Sequence, residues 1–312
     1  SVRSLHLLYP LSDGKYSFNA FAVDASGLKS AEAADTVIIT GSSQHVFKDT
    51  NWEMAAVPSK SFNAEKFKNS NYLLHWDESG TEKQVFSFYK QKKDISIIEP
   101  SKAYWRKGKS GDTITLSTSD FINEPVVINL HKTESGWNQI SSPFPYPVAW
   151  SRKTDILWKW NSGTNDYEEV QNVLEPWCGY WVCADSAAKV TLSPLPVFSR
   201  GSLAKLRKTF YLNKNNWMFQ VSLRTSAGND IDNKFGLNQN ASDQFDDFDR
   251  PEPPGIEGRP VLYFKNDAWK NSSRTELASD IRKNWKTINI FEFALEGTKV
   301  KETGTLNFSG IE

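Results

Sequence analysis

Two copies of one segment dominate this chain: Glu99-Pro100-Ser101-Lys102-Ala103-Tyr104-Trp105 returns as Glu175-Pro176-Trp177-Cys178-Gly179-Tyr180-Trp181. The copies are 76 positions apart, and the same separation relates the strand-like residues 113–116 to residues 189–192. Upstream, Trp52 and Pro58 match Trp137 and Pro143 at a separation of 85 positions, so the register changes only in the intervening loops. Self-similarity of this kind marks a duplicated structural unit. Because the shared residues are aromatic and strand-forming, the duplication predicts a modular β architecture and names no ligand.

Composition limits the classes of protein to which the chain can belong. Its 312 residues suggest about two or three domains. The 37 basic and 37 acidic residues balance, so the charge gives no reason to expect a nucleic-acid partner. No run of about 18 apolar residues is present, so no membrane insertion is expected in this segment. The first residues lack the apolar core of a signal peptide, and a signal in an exported parent protein would lie outside this chain.

Alternating β-branched and aromatic residues between turn residues predict an all-β fold of several β-sandwich-like modules in tandem. Residues 44–120 and 121–198 are expected to be two copies of one Trp-rich β module. Residues 199–208 have the composition of a basic linker, and residues 205–312 are expected to form a jelly-roll-like β-sandwich. Residues 1–43 are expected to contribute two strands around a turn at residues 25–28.

Some local patterns predict more specific elements. A helical turn is expected near residues 63–67, and residues 276–284 have a plausible helical pattern. A hairpin around residues 85–89 is expected to correspond to residues 156–160 of the second copy. That alignment places Phe86 and Phe88 at the positions of Trp158 and Trp160.

Three stretches carry a family resemblance. Gly-Trp-Asn-x-Ile-Ser-x-Pro-Phe-Pro at residues 136–145, followed by Trp-Lys-Trp-Asn at 158–161, resembles a module of large secreted and cell-surface proteins of Bacteroidetes and Fibrobacteres, many of them cargo of the type IX secretion system. Residues 209–312 are similar to a β-domain found just upstream of the sorting signals of those proteins, through the strand at 217–223, the acidic stretch at 241–249 and Asp-Ile-Arg at 280–282. The Tyr…Ala-Val-Asp-x-x-Gly pattern at 16–27 resembles the last hairpin of an immunoglobulin-like or fibronectin type III-like domain, of which residues 1–43 would be the C-terminal part. The resemblance implies an extracellular or cell-surface location.

The acid-rich stretch from Gly228 to Asp249 is the candidate metal site. Calcium takes about six to eight oxygen ligands at about 2.3–2.6 Å, and carboxylates supply them. The spacing is not that of an EF-hand loop, and the alternative is a solvated loop with turns in which Asp and Asn bind nearby backbone. No other cofactor is predicted. The candidate ligands of a structural calcium ion are Asp230, Asp232, Asp243, Asp246, Asp247 and Asp249.

The tryptophans are the candidate ligand-binding residues. The two-residue period of a strand places Trp158 and Trp160 on one face, and likewise Trp177 and Trp181. An exposed row of such rings would stack on the sugar rings of a glycan. In a core, each aromatic side chain would instead bury about 150–250 Å². The alignment with Phe86 and Phe88 favours core packing, because a core tolerates such a replacement, and a glycan platform is the alternative.

The motifs of the chain do not predict catalysis. The four histidines are scattered without metal-ligand spacing, and no Gly-x-Ser-x-Gly elbow occurs. Cys178 and Cys183 would lie about 16 Å apart in an extended strand, so they can form a disulfide only if the chain reverses between them. The chain is therefore expected not to be an enzyme.

These observations predict a non-catalytic structural or adhesive segment of a larger secreted or surface-anchored bacterial protein. Its expected partners are glycans or other surface proteins. The alternative is a carbohydrate-binding accessory region of a secreted glycosidase or protease.

Overall fold

The computed structural model of the protein is nearly all-β, as the sequence predicts. It describes residues 14–20, 22–31, 33–39, 42–47, 51–76, 89–91, 95–109, 111–132, 136–152, 155–170, 172–197, 216–256, 258–266, 275–283, 289–296 and 303–310. The predicted basic linker and the predicted hairpin residues 85–88 lie outside these ranges. Within them, no helix is long and apolar enough to cross a membrane.

Twenty-five strands are described, with two single-turn 3-10 helices at Ala64–Lys66 and Thr118–Asp120. The first of these is the predicted helical turn. In chain order the strands are β1 Gly14–Ala20, β2 Ala33–Ile39, β3 Ser42–Phe47, β4 Glu53–Ala55, β5 Phe62–Asn63, β6 Ser70–Trp76, β7 Tyr89–Gln91, β8 Ile97–Ile98, β9 Tyr104–Gly108, β10 Asp112–Ser117, β11 Val126–Leu130, β12 Trp137–Ser141, β13 Val148–Ala149, β14 Leu157–Asn161, β15 Asp166–Val170, β16 Val173–Leu174, β17 Gly179–Cys183, β18 Ala188–Leu192, β19 Trp217–Thr225, β20 Asn229–Leu237, β21 Arg250–Pro251, β22 Val261–Lys265, β23 Glu276–Arg282, β24 Glu292–Glu296 and β25 Gly304–Gly310.

The duplication appears as two β-sandwiches with the same topology. The central sheet of the first, copy 1, has the strand order β4-β9-β6-β7, and the two-stranded sheets β3-β10 and β5-β8 accompany it. In copy 2 the central sheet has the order β12-β17-β14-β15, with the two-stranded sheets β11-β18 and β13-β16. Each strand of one copy therefore has a counterpart in the other.

The strand register defines which residues are counterparts. Leu74 of β6 pairs with Trp105, and Trp158 of β14 pairs with Trp181. Trp158 and Trp160 thus correspond to Leu74 and Trp76, and the alignment with Phe86 and Phe88 is wrong. The error arose because the loops around β6 and β14 differ in length, and a comparison of aromatic spacing does not detect that shift.

The central strands send alternate residues into two different apolar layers. In β17, Tyr180 and Val182 pack in the core of copy 2, whereas Trp181 packs in a core shared with copy 1. In β9, Tyr104 and Trp105 divide in the same way. Each central sheet is therefore buried on both faces, and the two central sheets face each other across the shared core.

The C-terminal unit is one curled sheet. Its strand order is β24-β22-β23-β20-β19-β25, with β21 also paired to β23. β24 and β25 lie at opposite ends of this order, yet the rings of Phe293 and Phe308, one from each strand, are only 6.4 Å apart. The sheet thus wraps around its own core, in which Val221, Leu262 and Phe264 are buried.

The helix predicted at residues 276–284 is wrong. β23 occupies residues 276–282 and lies inside the sheet, with β20 parallel on one side and β22 antiparallel on the other. Residues 277–281 are all buried. A strand buried on both faces does not alternate between apolar and polar residues, so its pattern is easily taken for a helix.

At the N-terminus, β1 and β2 form the predicted antiparallel pair. The turn between them is ordered by Asp24, whose Oδ1 accepts hydrogen bonds from the N–H groups of Ser26 and Leu28, each at 2.9 Å. Gly27 supplies a φ of 85° that side chains rarely adopt.

Candidate functional site

The interface between the two copies is built from reciprocal contacts. Ala55 forms an isolated β-bridge with Cys178, and Lys102 forms one with Ile140. Ile140 is the counterpart of Ala55, and Cys178 is the counterpart of Lys102, so exchanging the copies maps one bridge onto the other. Such self-complementary contacts define a twofold, or isologous, interface. The two copies are thus related by a pseudo-twofold axis, as in a homodimer whose subunits are fused.

Two indole hydrogen bonds follow the same pseudo-symmetry. Trp76 Nε1 donates to the carbonyl oxygen of Trp137 at 3.1 Å. Its counterpart, Trp160 Nε1, donates to the carbonyl oxygen of Trp52 at 2.7 Å. Each hydrogen bond crosses from one copy to the other. Because an unpaired N–H would be costly in this core, these bonds fix how the two copies sit against each other.

Ring contacts repeat the pattern. Trp76 meets Trp181 with centroids 5.2 Å apart at 87°, and Trp160 meets Trp105 at 5.1 Å and 80°. Edge-to-face pairs of this kind are worth about 0.5–1.5 kcal/mol beyond the area that they bury. The shared core is therefore cohesive and also specific in geometry.

Close to the axis, the two copies approach each other so closely that one of two equivalent positions is a glycine. A Cβ added to Gly179 would lie 2.5 Å from the Cβ of Ala103 and would also overlap the side chain of Met54. Ala103 is the counterpart of Gly179. Only one methyl group fits at this point, which explains why the two copies differ here.

The four tryptophans proposed for a glycan platform are all buried. Trp158, Trp160 and Trp181 lie in the shared core with exposures of 3%, 7% and 0%. Trp177, at 7%, lies instead in the core of copy 1. The structure thus brings three of them together, and it packs all four against protein, as the core-packing interpretation expects. Their faces are not available for stacking on a sugar in this structure.

A buried ionic cluster joins copy 2 to the C-terminal unit. Arg259 Nη2 donates to Asp166 Oδ1 and lies 4.0 Å from Asp230 Oδ1. Asp166 Oδ2 also accepts the N–H of Ile231 at 2.9 Å. Asp166 lies in β15 and Asp230 in β20, so one arginine holds carboxylates from both units.

Aromatic contacts enclose this cluster. The Arg259 guanidinium lies 5.2 Å from the ring centroid of Trp160 and 5.1 Å from that of Tyr167. Tyr167 accepts the Trp181 indole N–H at 3.0 Å and donates its hydroxyl to the Pro254 carbonyl at 2.7 Å. A continuous set of contacts therefore runs from the shared core into the C-terminal unit.

Burial dominates the electrostatics of this cluster. It raises the pKa of Asp230 to about 6, against the opposing effect of Arg259. Burial also raises the pKa of the fully enclosed Glu252 well above its ordinary value. One arginine faces three carboxyl groups, those of Asp166, Asp230 and Glu252, so the cluster favours the protonated form of some of them.

The candidate calcium ligands are dispersed. Asp230 and Asp232 lie on β20 and not in the expected loop, where Asp232 accepts a hydrogen bond from Lys234. Asp243 and Asp247 lie in the following segment, and the backbone carbonyl of Asp247 accepts from Arg250. Across the described ranges, no three Asp, Glu, His or Cys residues form a group that could hold a metal ion.

Asp246 and Asp249 act as local organisers of this segment. Asp246 accepts the N–H groups of Ser242 and Phe248, at 2.6 and 2.7 Å. Asp249 accepts those of Asp246 and Ile281, each at 2.9 Å, and burial raises its pKa to about 8.

Because the carboxyl groups of Asp246 and Asp249 already accept hydrogen bonds from backbone N–H groups, we expect EDTA to leave the melting temperature of the protein unchanged. A chelator-induced loss would instead support the predicted calcium ion, which stabilises by about 2.7 kcal/mol when present at a hundredfold excess over its Kd.

Cys183, which is buried in β17, and Cys178, just before that strand, do not form a disulfide with each other. His75 is also part of the packing, since its Nδ1 lies 3.0 Å from the Ala103 carbonyl oxygen.

The sequence does not predict the ionic cluster of Asp166, Asp230 and Arg259. Asp166 and Arg259 are 93 positions apart, and no local pattern indicates that they meet.

Comparison of the chain with known protein families, with curated proteins and with solved structures found no match.

Proposed function

We propose that this chain is a rigid structural segment of a larger secreted or surface-anchored bacterial protein, without catalytic activity of its own. The observation that carries the proposal is the reciprocal interface between the copies. It is built from indole rings and backbone hydrogen bonds, which hold modules in a fixed orientation. Tandem modules locked in this way suit a spacer or an adhesive stalk, because they transmit force without changing shape.

The attachment of the C-terminal unit supports the same role. Besides the buried arginine cluster, Arg250 Nε of that unit donates to Glu169 of copy 2 at 3.1 Å. Ile256 and Ala278 of the C-terminal unit also pack in the shared core of the two copies. Three modules are thus joined by side-chain contacts in addition to the chain itself.

The location is tested on intact cells of the organism that makes the protein. Antibodies against this segment should label unpermeabilised cells or the culture medium, and added protease should destroy the signal. Labelling that appears only after permeabilisation would contradict an extracellular role. A mechanical role is tested separately by single-molecule stretching, in which the two copies should unfold together at one force.

A carbohydrate-binding accessory role is the second candidate, and one observation favours it. Tyr72 on β6 is 50% exposed, and its ring lies 5.6 Å from that of the partly buried Trp52. Lys107, the cross-strand neighbour of Tyr72, places its ammonium 5.5 Å from the Trp52 ring centroid. This row offers the accessible aromatic surface that the buried tryptophans do not.

A glycan array distinguishes the two roles. Binding that Tyr72→Ala abolishes, with an unchanged melting temperature, would support the accessory role. The matched control is Tyr146→Phe, because Tyr146 lies in copy 2 and uses its hydroxyl to bind the Pro194 carbonyl. An array without binding, together with surface labelling, would favour the structural role alone.

A further inference from the structure

The pseudo-twofold axis relates two positions that the copies occupy very differently. Ser101 and Trp177 are counterparts, and both have a φ of 65°. The preceding residues are also alike, since the N–H of Glu99 donates to the Tyr104 hydroxyl and that of Glu175 donates to the Tyr180 hydroxyl. The two turns thus have the same backbone and present a hydroxymethyl group in one case and an indole in the other.

The Trp177 indole fills a cleft on the surface of copy 1. Its ring stacks on His45 at 5.1 Å with an interplanar angle of 11°, and it meets Phe47 edge-on at 6.1 Å. Only 7% of the residue is exposed. The cleft lies between the Glu175–Cys178 turn and β3, so copy 2 supplies the ring and copy 1 supplies the wall.

The related cleft on copy 2 is open. It lies between the turn at residues 99–102 and the strands β11 and β12, and its volume is about 320 Å³. Val127, Ile128 and Asn129 of β11 line it where Gln44, His45 and Val46 of β3 stand in copy 1. The volume falls at the lower end of the range for small-molecule sites, about 300–1,000 Å³. Replacement of an indole by a serine hydroxyl explains why this cleft has room for a ligand.

The edge of the cleft is polar. Glu99 and Lys102, whose charged groups lie 3.4 Å apart, both line it. Asn138 lines it as well, and its side-chain amide already binds the His131 backbone, donating to the carbonyl oxygen at 3.0 Å and accepting the N–H at 2.7 Å. The apolar part of the wall is supplied by Val127 and Ile128.

We propose that this cleft binds a small planar aromatic molecule. The ring takes the place that corresponds to the Trp177 indole, against Val127 and Ile128. The site is independent of the proposed structural role, because it uses the outer margin of the interface and leaves the shared core unchanged.

The test uses the full chain and indole-3-carboxamide as the probe, followed by protein NMR. We expect saturable shifts of the Val127 and Asn129 amide signals, with a Kd on the order of 0.1–1 mM for a ligand of this size. Cyclohexanecarboxamide, which keeps the amide but lacks a planar ring, should bind at least tenfold more weakly. Glucose should cause no shifts at these positions.

Two reciprocal variants locate the site. Ser101→Trp should reproduce the filled cleft, since its backbone already has the conformation of Trp177, and should abolish binding. Trp177→Ser should open the cleft on copy 1, so that a second set of shifts appears at His45 and Val46. If Ser101→Trp does not fold, Val127→Trp at an exposed wall position serves the same purpose. The proposal is overturned by an absence of saturable shifts in the wild-type protein, by equal binding of glucose or cyclohexanecarboxamide, or by binding that survives the blocking variant.

Discussion

Arg106 is fully buried in copy 1, and two carboxylates meet its charge. Its Nε and Nη2 donate to Asp112 Oδ2 at 3.2 and 2.9 Å, and its Nη1 donates to Glu53. Desolvation alone would raise the pKa of Asp112, but hydrogen bonds from Asn69, Ser70 and Arg106 together outweigh it and hold the pKa below its usual value. The counterparts of the three charged residues in copy 2 are Val182, Ala188 and Asn138. The same scaffold thus tolerates either a buried ionic triad or a mostly apolar set.

This comparison yields a prediction for Arg106→Val. The variant leaves the buried carboxylate of Asp112 and the partly buried carboxylate of Glu53 without their cation, so the free energy of unfolding should fall by about 3–5 kcal/mol. Urea denaturation measures the loss. The triple variant Glu53→Asn, Arg106→Val, Asp112→Ala installs the residues of copy 2 and should recover most of it. A triple variant as unstable as the single one would show that the triad contributes more than charge compensation.

Gly179→Ala tests the closest approach of the two copies. The new methyl group overlaps the side chains of Ala103 and Met54, so we expect a loss of about 1–3 kcal/mol from overpacking. The matched control is the double variant Ala103→Gly, Gly179→Ala, which moves the methyl group to the other side of the axis and should recover part of the loss. If Gly179→Ala is neutral, the copies do not meet as described.

Among the elements, strands that alternate between buried and exposed residues were the easiest to predict, and β23, which is buried on both faces, was not predicted. β10 alternates strictly between buried and exposed residues, and the strand expected at residues 217–223 is β19. β23 was assigned to a helix because its burial on both faces removes that alternation. β6 was not matched to β14, since only the register of the sheet identifies Trp76 as the counterpart of Trp160.

The candidate sites were harder to predict than the fold. Sequence spacing correctly placed Trp158 and Trp160 on one face, and the burial of all four tryptophans agrees with their interpretation as core residues. The spacing was wrong for Trp177, which lies in a turn before β17 and enters a different core from Trp181. It did not show which core they enter, because that depends on the second copy. The ionic cluster and the open cleft depend on contacts between units distant in the chain, for which a single sequence gives no signal.

The buried carboxyl groups of the C-terminal unit predict how the stability of that unit depends on pH. In the folded state the pKa of Asp230 is about 6, that of Asp249 is about 8, and that of Glu252 is also raised. Each pKa exceeds its unfolded value, so the unfolded chain loses these protons first as the pH rises. The stabilising contribution of Asp230 and Asp249 is complete below about pH 4 and is lost between about pH 4 and 8, and the contribution of Glu252 is also lost as the pH rises. The melting temperature of the C-terminal unit should therefore decrease across this range.

Glu252→Gln provides the control, because glutamine resembles the protonated carboxyl group and does not titrate. Its melting temperature should depend less steeply on pH than that of the wild-type protein. Calorimetry at several pH values measures both slopes. Equal slopes for the two proteins, or a wild-type stability that rises over the same range, would contradict the assignment of raised pKa values to this cluster.

At the scale of the whole molecule, the two copies form a stack of sheets with tryptophans in the middle. The small sheets lie outside, the central sheets face each other, and the curled C-terminal sheet is fixed to one side through Arg259 and Tyr167. Because the unit is duplicated, the same set of residues supplies both halves of the interface. The copies then diverged where symmetry permits it, as Gly179 and Ala103 show at the axis and Trp177 and Ser101 show at the margin.

Hydrogen exchange of the indole N–H groups of Trp76 and Trp160 tests the central claim most directly. Both groups are predicted to exchange on the order of a thousandfold or more slowly than free tryptophan, because exchange requires the copies to separate. Their rates should also respond equally to low concentrations of denaturant, since one opening event exposes both. Rapid exchange of either indole, or a clearly different denaturant dependence of the two, would contradict the account of a fused pseudo-twofold dimer.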